Sequence, residues 1–309
     1  MNMRNNTIMK WLLGCTVVAA TAACQSDSPA PRPDADDVRA RQVTITETET
    51  ADARQEMTRA TLTAGTDLTA QWTAGDQLTY CNLSRTNALD ETPYSGPLTA
   101  TSSAATSQFT GSVTCRAGDY LAVVYPSATF DTNEAYTISL AGQDGTLATL
   151  ATRFHHVYGK ASVTAVSGTT ATATMPRTKS LLAVCQFSFV DKQTSATLPV
   201  KTLSISYAGT GADAGTYPQS ATVAIKDGLS IKEQADVHAT GIDSDEALVV
   251  GSPDSELAEV YVALLPTAAP RTYNFTLTNA SGTYSGRAKA TLAEGQYVVA
   301  TGLKLTKQP

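Results

Sequence analysis

The chain has 309 residues, with 22 basic and 28 acidic side chains and a net charge of -6. Nucleic-acid binding depends on clustered lysine and arginine, so an acidic chain without basic runs is a poor candidate for it. The charged fraction is only 16%, and a sequence rich in threonine and punctuated by glycine and proline favours β structure.

The first 24 residues have the pattern of a bacterial lipoprotein signal. A polar start with Arg4 and Lys10 precedes the apolar run 11–23, which is too short to span a bilayer and ends in small residues before Cys24. Cleavage after residue 23 would leave Cys24 at the N-terminus, with its thiol carrying the lipid. The mature chain would then hold 20 basic against 28 acidic residues, a net charge of -8. An ordinary signal peptide with a cysteine nearby is the alternative.

A polar segment separates this signal from the first predicted strand. Residues 24–41 contain three prolines and four aspartates and almost nothing apolar, which predicts a flexible tether. Residues 43–46 alternate between apolar and polar side chains and predict a short strand, with Val43 and Ile45 facing inward. Residues 47–58 are charged and predict an exposed loop.

Short strands separated by turns follow at regular intervals. In the first half they are predicted over residues 60–68, 77–83, 108–114, 120–125, 136–140 and 161–175, with a loop around Pro93, Gly96 and Pro97. In the second half they are predicted over residues 180–190, 200–207, 219–225, 260–265, 273–277, 284–290 and 296–305. The stretch 180–190 is the most apolar of the mature chain, which predicts a strand buried on both faces.

No segment of ten residues has a convincing helical period, so the predicted fold is all-β. Residues 175–177 are interpreted as a junction between an N-terminal domain (42–175) and a C-terminal domain (176–309), each a pair of sheets packed face to face. The sequence Phe-Thr-Gly at 109–111, followed by a glycine turn at 118, resembles Tyr-Ser-Gly at 284–286, followed by a glycine turn at 295. This echo predicts the same hairpin in both halves, with coincidence as the alternative.

Three cysteines remain after Cys15 leaves with the signal and Cys24 takes the lipid. They are Cys81, Cys115 and Cys185. Buried apolar side chains are the favoured interpretation, and a Cys81–Cys115 disulfide is the alternative, with spacing unable to decide.

The sequence contains no catalytic or cofactor motif. It has no GxSxG, HExxH, P-loop or dinucleotide fingerprint. His155 and His156 are adjacent, and on a strand they would point to opposite faces, so they cannot share one metal. We therefore expect no enzyme activity, no cofactor and no metal site. Trp72 and the tyrosines are either core residues, which we favour, or platforms for sugars.

A series of short motifs gives the chain a family resemblance. The motifs are Thr-Arg-Ala at 58–60, Gln-Trp-Thr-Ala-Gly-Asp-Gln-Leu at 71–78, Phe-Thr-Gly at 109–111, Gly-Asp-Tyr-Leu at 118–121, Val-Tyr-Pro at 124–126, Leu-Leu-Pro at 264–266, Tyr-Asn-Phe-Thr-Leu at 273–277, Tyr-Ser-Gly at 284–286 and Gly-Gln-Tyr at 295–297. Their order, behind a lipoprotein signal, resembles the fimbrillin-like family of Bacteroidales. These are lipoprotein-derived fimbrial subunits, including the major fimbrillin and the anchor and accessory members.

The resemblance implies two transthyretin-like β-sandwich domains of Greek-key type, without enzyme activity. It implies a structural subunit of a cell-surface fimbria involved in adhesion, held at the outer membrane through lipid on Cys24. The implied partners are other fimbrial subunits, in a homo- or hetero-polymer, and a host or bacterial surface ligand.

In shaft members of that family, a protease cuts after an arginine in the loop that follows the first strand. The strand leaves, and a C-terminal strand of the next subunit fills the groove by strand addition. Here Val43 and Ile45 would lie on the removable strand, Arg59 matches the cleavage position best, and Arg54 is second. Alternatively, Arg59 simply begins the next strand. Anchor members keep both lipid and strand, so shaft, anchor, tip and accessory roles stay open, and we expect the last strand to pair internally.

A surface glycan-binding lipoprotein of a nutrient-uptake system is the alternative function. Such a protein would share the signal, the tether and the β domains. Exposed coplanar aromatic side chains in a groove would favour it, whereas a groove filled by Val43 and Ile45 would favour the fimbrial subunit.

Overall fold

A computed structural model describes residues 37–48, 61–65, 68–210, 214–225, 230–231, 246–251 and 255–309. The lipoprotein signal with Cys24, most of the tether, and the candidate cleavage residues Arg54 and Arg59 lie outside these residues.

The described chain is almost entirely β, as predicted. The first half contains β1 (Arg39–Thr48), β2 (Thr61–Thr63), β3 (Thr69–Gln71), β4 (Gln77–Thr86), β5 (Pro93–Ala100), β6 (Gln108–Cys115), β7 (Tyr120–Tyr125), β8 (Ala135–Ser139), β9 (Val157–Ser167), β10 (Thr170–Pro176) and β11 (Lys179–Ser180). The second half contains β12 (Ala183–Asp191), β13 (Thr197–Leu198), β14 (Thr202–Tyr207), β15 (Ser220–Ala224), β16 (Ser230–Ile231), β17 (Leu248–Val250), β18 (Val260–Leu264), β19 (Arg271–Asn279), β20 (Gly282–Ala290) and β21 (Tyr297–Lys307). One helical turn, α1 (Leu147–Thr149), continues into a π-helical turn over Leu150–Phe154.

The first sheet closes on itself. Its strand order is β10-β1-β6-β5-β4-β7-β9-β11, and β9 also pairs with β10, so seven of the strands form a ring. All pairings in this ring are antiparallel except that of β1 with β10, which is parallel. The ring encloses a core in which Trp72 meets Phe109 and Tyr125 edge-on, with ring centroids 5.0 and 5.6 Å apart. Such edge-to-face contacts are favourable for aromatic pairs.

The second sheet has the order β13-β12-β21-β20-β19-β14-β17, with β18 paired to β12. Residues 183–187 of β12 are buried on both faces, as the apolar stretch predicted. Phe187, Phe189 and Phe275 pack together in this core, with ring centroids 5.3 to 6.2 Å apart. The predicted all-β fold is therefore confirmed. The transthyretin-like, Greek-key description and the domain division at residue 175 stay predictions.

A small third sheet joins the two halves. β8 from the first half pairs antiparallel with β15 from the second, from Ala135↔Ala224 to Ser139↔Ser220, and β16 follows β15. The sequence predicted both long strands, at 136–140 and 219–225, but nothing local indicated that they pair with each other.

The structure corrects two local predictions. The segment with Pro93, Gly96 and Pro97 is not a loop but the strand β5. Proline is tolerated there because β5 pairs with β6 only through Thr99 and Ala100, so its earlier part needs no donors on that side. The stretch 161–175 is a hairpin of β9 and β10 rather than one strand, with Gly168 at a positive φ of 52° in the turn.

The predicted repeat of one hairpin is wrong for the first half. β6 pairs with β1 and β5, and β7 pairs with β4 and β9, so β6 and β7 are consecutive without being neighbours. The two echoed glycines nevertheless share a reason. A Cβ at Gly111 would lie 2.5 Å from the Pro97 carbonyl oxygen, and one at Gly286 would lie 2.6 Å from the Leu305 side chain. Both positions require glycine because a neighbouring strand approaches closely.

The three cysteines are free and buried, as the favoured interpretation predicted. Cys81 packs in the hydrophobic cluster that includes the second sheet, whereas Cys115 packs inside the ring of the first sheet. The alternative Cys81–Cys115 disulfide is therefore wrong, since the two side chains belong to different cores. Burial raises the pKa of the Cys115 thiol to about 11 and the pKa values of Cys81 and Cys185 to about 12, which keeps the unreactive thiol form.

Candidate functional site: the first strand and its slot

β1 occupies a slot between two other strands of the closed sheet. It pairs antiparallel with β6 from Arg39↔Cys115 to Thr46↔Gln108, and parallel with β10 from Gln42↔Thr170 to Thr48↔Pro176. Because both edges of β1 are engaged, its removal would open the ring and leave the facing edges of β6 and β10 unpaired.

The inner face of β1 carries both residues that the sequence assigned to a removable strand. Val43 and Ile45 are fully buried, and they belong to the core cluster of the ring together with Trp72 and Phe109. Burying side chains of this size contributes about 1.5–3 kcal/mol each. Val43 and Ile45 therefore anchor β1, and whether the strand leaves stays a prediction.

A buried carboxyl group ties the C-terminal end of β1 to three other segments. The Glu47 side chain is only 4% exposed. Its Oε2 accepts hydrogen bonds from Trp72 Nε1 at 2.8 Å and from the Ser107 backbone N–H at 3.3 Å. Its Oε1 accepts bonds from the Thr178 backbone N–H at 2.9 Å and from Thr178 Oγ1 at 3.2 Å. All four donors are thus satisfied by one side chain of β1.

A buried guanidinium group holds the opposite end of the strand. Arg41 is 1% exposed. Its Nε donates to the Cys115 carbonyl at 3.2 Å, its Nη1 to the Gly168 carbonyl, and its Nη2 to the Asp37 carbonyl at 2.9 Å. The guanidinium therefore connects the last residue of β6 to the β9–β10 turn, on both sides of the slot.

The inner face of β1 is consequently longer than the sequence predicted. The side chains at 41, 43, 45 and 47 are buried, and those at 42, 44, 46 and 48 are partly or largely exposed. Arg41 was predicted to lie in the tether because residues 24–41 are rich in proline and aspartate, and Glu47 was predicted to lie in the loop because residues 47–58 are charged. The alternation at residues 41–47 was the available signal, but the partners of both charges lie far away in the chain.

A second feature is an apolar cavity between the last two strands. β20 and β21 pair only at Tyr284↔Lys307 and Ser285↔Thr306. Beyond the close approach of Gly286 to Leu305, the described residues of these strands show no further pairing with each other. A cavity of about 240 Å³ lies there, lined mainly by apolar side chains that include Phe187, Phe275, Ala288, Val298, Ala300 and Leu303.

The two adjacent histidines are buried and show no arrangement for catalysis. Both His155 and His156 are buried beside the π-helical turn, and burial, with a smaller effect of His155, lowers the pKa of His156 to about 4. Within the described part of the chain, no group of three or more His, Cys, Asp or Glu side chains could hold a metal ion. No described helix is long and apolar enough to span a membrane.

Comparisons with known proteins give a similarity of fold. No family model matches the chain, and neither does any curated protein. A candidate cell adhesion protein from Bacteroides ovatus ATCC 8483 is similar over 88% of this chain and 97% of its own, with a TM-score of 0.51 at 11% identity. At this identity the similarity indicates a shared fold and does not extend to activity.

Two further solved structures match with lower scores. A candidate adhesin from Bacteroides ovatus ATCC 8483 covers 97% of this chain and 99% of its own, with a TM-score of 0.36 at 9% identity. A shaft pilin from Lactobacillus rhamnosus GG covers 88% of this chain and 99% of its own, with a TM-score of 0.33 at 11% identity.

Proposed function

We propose that this protein is a structural subunit of a cell-surface fimbria involved in adhesion. In this proposal it is anchored in the outer membrane through lipid on Cys24 and assembles with other fimbrial subunits by β-strand addition. It has no catalytic role and needs no cofactor. The observation that supports the proposal is β1, which fills a slot between β6 and β10 with Val43 and Ile45 in the core.

The position of β1 in the chain suits a strand that is replaced. It is the first described element, and it connects to the rest of the fold through residues 49–60, which include both Arg54 and Arg59. Cleavage in this segment would remove the covalent link, and β1 would then be held only by its two ladders and its buried side chains. An incoming strand could form the same two ladders, with alternate side chains in the same pockets.

The last strand is engaged in its own subunit. β21 pairs parallel with β12 from Val184↔Tyr297 to Asp191↔Leu305, and Leu305 is buried, in line with the internal pairing expected from the sequence. In this conformation the last strand is therefore not free to pair with another subunit. Shaft, anchor, tip and accessory roles remain alternatives within the proposal.

The glycan-binding alternative lacks the exposed aromatic platform that would favour it. Trp72 is buried in the ring, and Tyr120 is the one largely exposed aromatic side chain among the described residues. The Lys160 ammonium lies 4.6 Å from the centre of the Tyr120 ring. A single tyrosine with a cation over its face does not form a row of coplanar rings on which a glycan could stack.

Arginine-specific proteolysis tests the proposal. The mature protein is treated with an arginine-specific protease, the protease is inhibited, and the new N-terminus is sequenced. The product is examined by size-exclusion chromatography and electron microscopy, alone and after mixing with fimbrial subunits extracted from the cell surface. We expect cleavage after Arg59 or Arg54, followed by polymers in the mixture. The Arg54→Ala/Arg59→Ala double variant should stay monomeric, whereas Arg287→Ala, at an exposed position of β20, should behave as the wild type. A cleaved product that stays monomeric in the mixture contradicts a shaft role.

A separate experiment addresses the anchor. Cys24→Ser should abolish incorporation of labelled palmitate and release the protein from the membrane fraction. Lipid labelling of the Cys24→Ser variant would contradict the anchoring part of the proposal.

A further inference from the structure

The inner face of β1 combines two apolar side chains with one buried charge at each end. In chain order it presents a base at 41, apolar residues at 43 and 45, and an acid at 47. Six residues of strand separate the two charged positions by about 20 Å. Each end of the slot is built to match its charge, with carbonyl oxygens around Arg41 and hydrogen-bond donors around Glu47.

The polar groups at the two ends of the slot help to fix the register of the bound strand. A slip by one residue moves the apolar side chains to the outer face, so the two central pockets reject it. A slip by two residues keeps the same face inward, but it moves either Arg41 or Glu47 into one of the two apolar pockets. In one direction it also places Ile45 against the donors of Trp72 and Thr178, and in the other it places Val43 against the carbonyls that bind Arg41. A buried donor left without a partner is destabilising, because it has lost its hydrogen bonds to water without replacement.

The same ends also specify direction. β1 runs parallel to β10 and antiparallel to β6. A strand inserted in the opposite direction would bring its base to the donors at the Glu47 end and its acid to the carbonyls at the Arg41 end. Both charges would then be buried against groups of the wrong polarity, which is strongly destabilising.

This combination of side chains is rare in the chain itself. The order base–x–apolar–x–apolar–x–acid occurs once in the 309 residues, at 41–47. The last strand, β21, has alternating apolar residues but lacks the charged ends of the pattern. Residues 297–309 contain no acidic side chain, and no base among them is followed by apolar residues two and four positions later. A second copy of this chain could therefore satisfy both ends of the slot only with its own β1.

We propose that the slot accepts a strand with the inward pattern base–x–apolar–x–apolar–x–acid, supplied by a different protein rather than by the last strand of a second copy. This inference rests on the proposed function, because it assumes that β1 is replaceable. It adds the identity of the donor: the charge at each end selects the partner, its direction and its register, while the apolar pair supplies most of the burial.

Peptide competition in the full mature chain tests the inference. A site for a sequence-specific protease is inserted within residues 49–60, and the chain is cut, unfolded in urea and refolded with an excess of fluorescent peptide. Refolding from the unfolded state prevents slow release of β1 from hiding the equilibrium. The amount of bound peptide is measured by size-exclusion chromatography as a function of peptide concentration.

Four peptides separate the contributions. The reference has the sequence of residues 37–48, and its Gln42→Ala form is the matched control, because Gln42 faces outward. The third peptide exchanges the two charges, Arg41→Glu with Glu47→Arg, and so keeps composition and net charge. The fourth has the sequence of residues 297–308 from the last strand. We expect the first two to bind equally, and the charge-exchanged and last-strand peptides to bind at least 100-fold more weakly.

The outcomes distinguish the inference from the proposed function. If the charge-exchanged peptide or the last-strand peptide binds within threefold of the reference, the selection by charge is refuted while strand replacement stands. If the reference peptide itself does not bind to the cut and refolded chain, replacement of β1 is refuted, and the inference falls with it.

Discussion

Replacing Glu47 by alanine should destabilise the whole first sheet, although only one side chain near the C-terminal end of β1 changes. In the wild type, the two carboxyl oxygens accept four hydrogen bonds, from Trp72 Nε1, the Ser107 N–H, the Thr178 N–H and the Thr178 hydroxyl. All three partner residues lie in the buried interior, at no more than 4% exposure. Alanine offers no acceptor, so the four donors lose their partner together.

The magnitude follows from the number of donors. An unsatisfied buried donor costs about 1–3 kcal/mol, and water entering the vacated space recovers part of this. At about 1 kcal/mol for each donor, Glu47→Ala should lower the free energy of unfolding by about 4 kcal/mol. Glu47→Gln keeps one acceptor oxygen and should lose about 2 kcal/mol, because its NH₂ group faces two donors.

Trp72 provides the assay. The chain has two tryptophans, Trp11 and Trp72, so a protein expressed from residue 25 onward contains Trp72 alone. Its fluorescence during urea unfolding reports on the ring that β1 closes. The matched control is Gln42→Ala, on the outer face of β1, which should stay within about 0.5 kcal/mol of the wild type. A loss below 1 kcal/mol for Glu47→Ala, or equal losses for alanine and glutamine, would refute the argument from counted donors.

Three further predictions use the same titration. Ile45→Ala should lower the free energy of unfolding by about 2–5 kcal/mol, because the side chain is fully buried; a cost below 1 kcal/mol would contradict its anchoring role. His156 has a pKa near 4 in the fold against 6.5 ordinarily, so the unfolded state binds its proton first and stability falls as the pH drops from 6.5 to 4, by about 3 kcal/mol in total. His156→Leu should flatten this part of the pH profile, and an unchanged slope would contradict it. Ala300→Val should partly fill the cavity beside β21 and add about 0.5–1 kcal/mol; a loss of stability would show that the wall cannot accept the two methyl groups.

The sequence predicted strands well where a strand has one buried face. The alternation in 136–140, 200–207 and 273–277 is a local property, and each segment lies mostly within a strand of the structure. Pairing was less accessible, because partners are chosen by the whole fold. β8 pairs with β15 across about eighty residues, and β6 does not pair with β7 despite the short turn between them.

The candidate site shows the same limit more sharply. Val43 and Ile45 could be predicted because apolar side chains on an alternating strand must find a core. Arg41 and Glu47 could not, because a charge is normally best left in water, and only distant partners make its burial acceptable. The most distant of those partners, Thr178, lies 131 positions from Glu47 along the chain. Such a partner cannot be recognised from the residues next to Glu47.

Under the proposed function a strand has to exist outside the slot before it binds, and the two buried charges on β1 suit that requirement. A strand whose whole inner face was apolar would bind tightly. When free, however, it would expose a continuous apolar surface that is prone to aggregation, and it could pair with any open sheet edge. With Arg41 and Glu47 at its ends, the free strand would stay soluble. The polar groups of the empty slot could form hydrogen bonds with water until a strand binds. Burying ion-bearing side chains adds little net affinity over apolar ones of equal size, but a mismatch at either end is severely penalised. The arrangement thus sacrifices strength of binding for choice of partner, which is the property that the proposed polymer of different subunits would require.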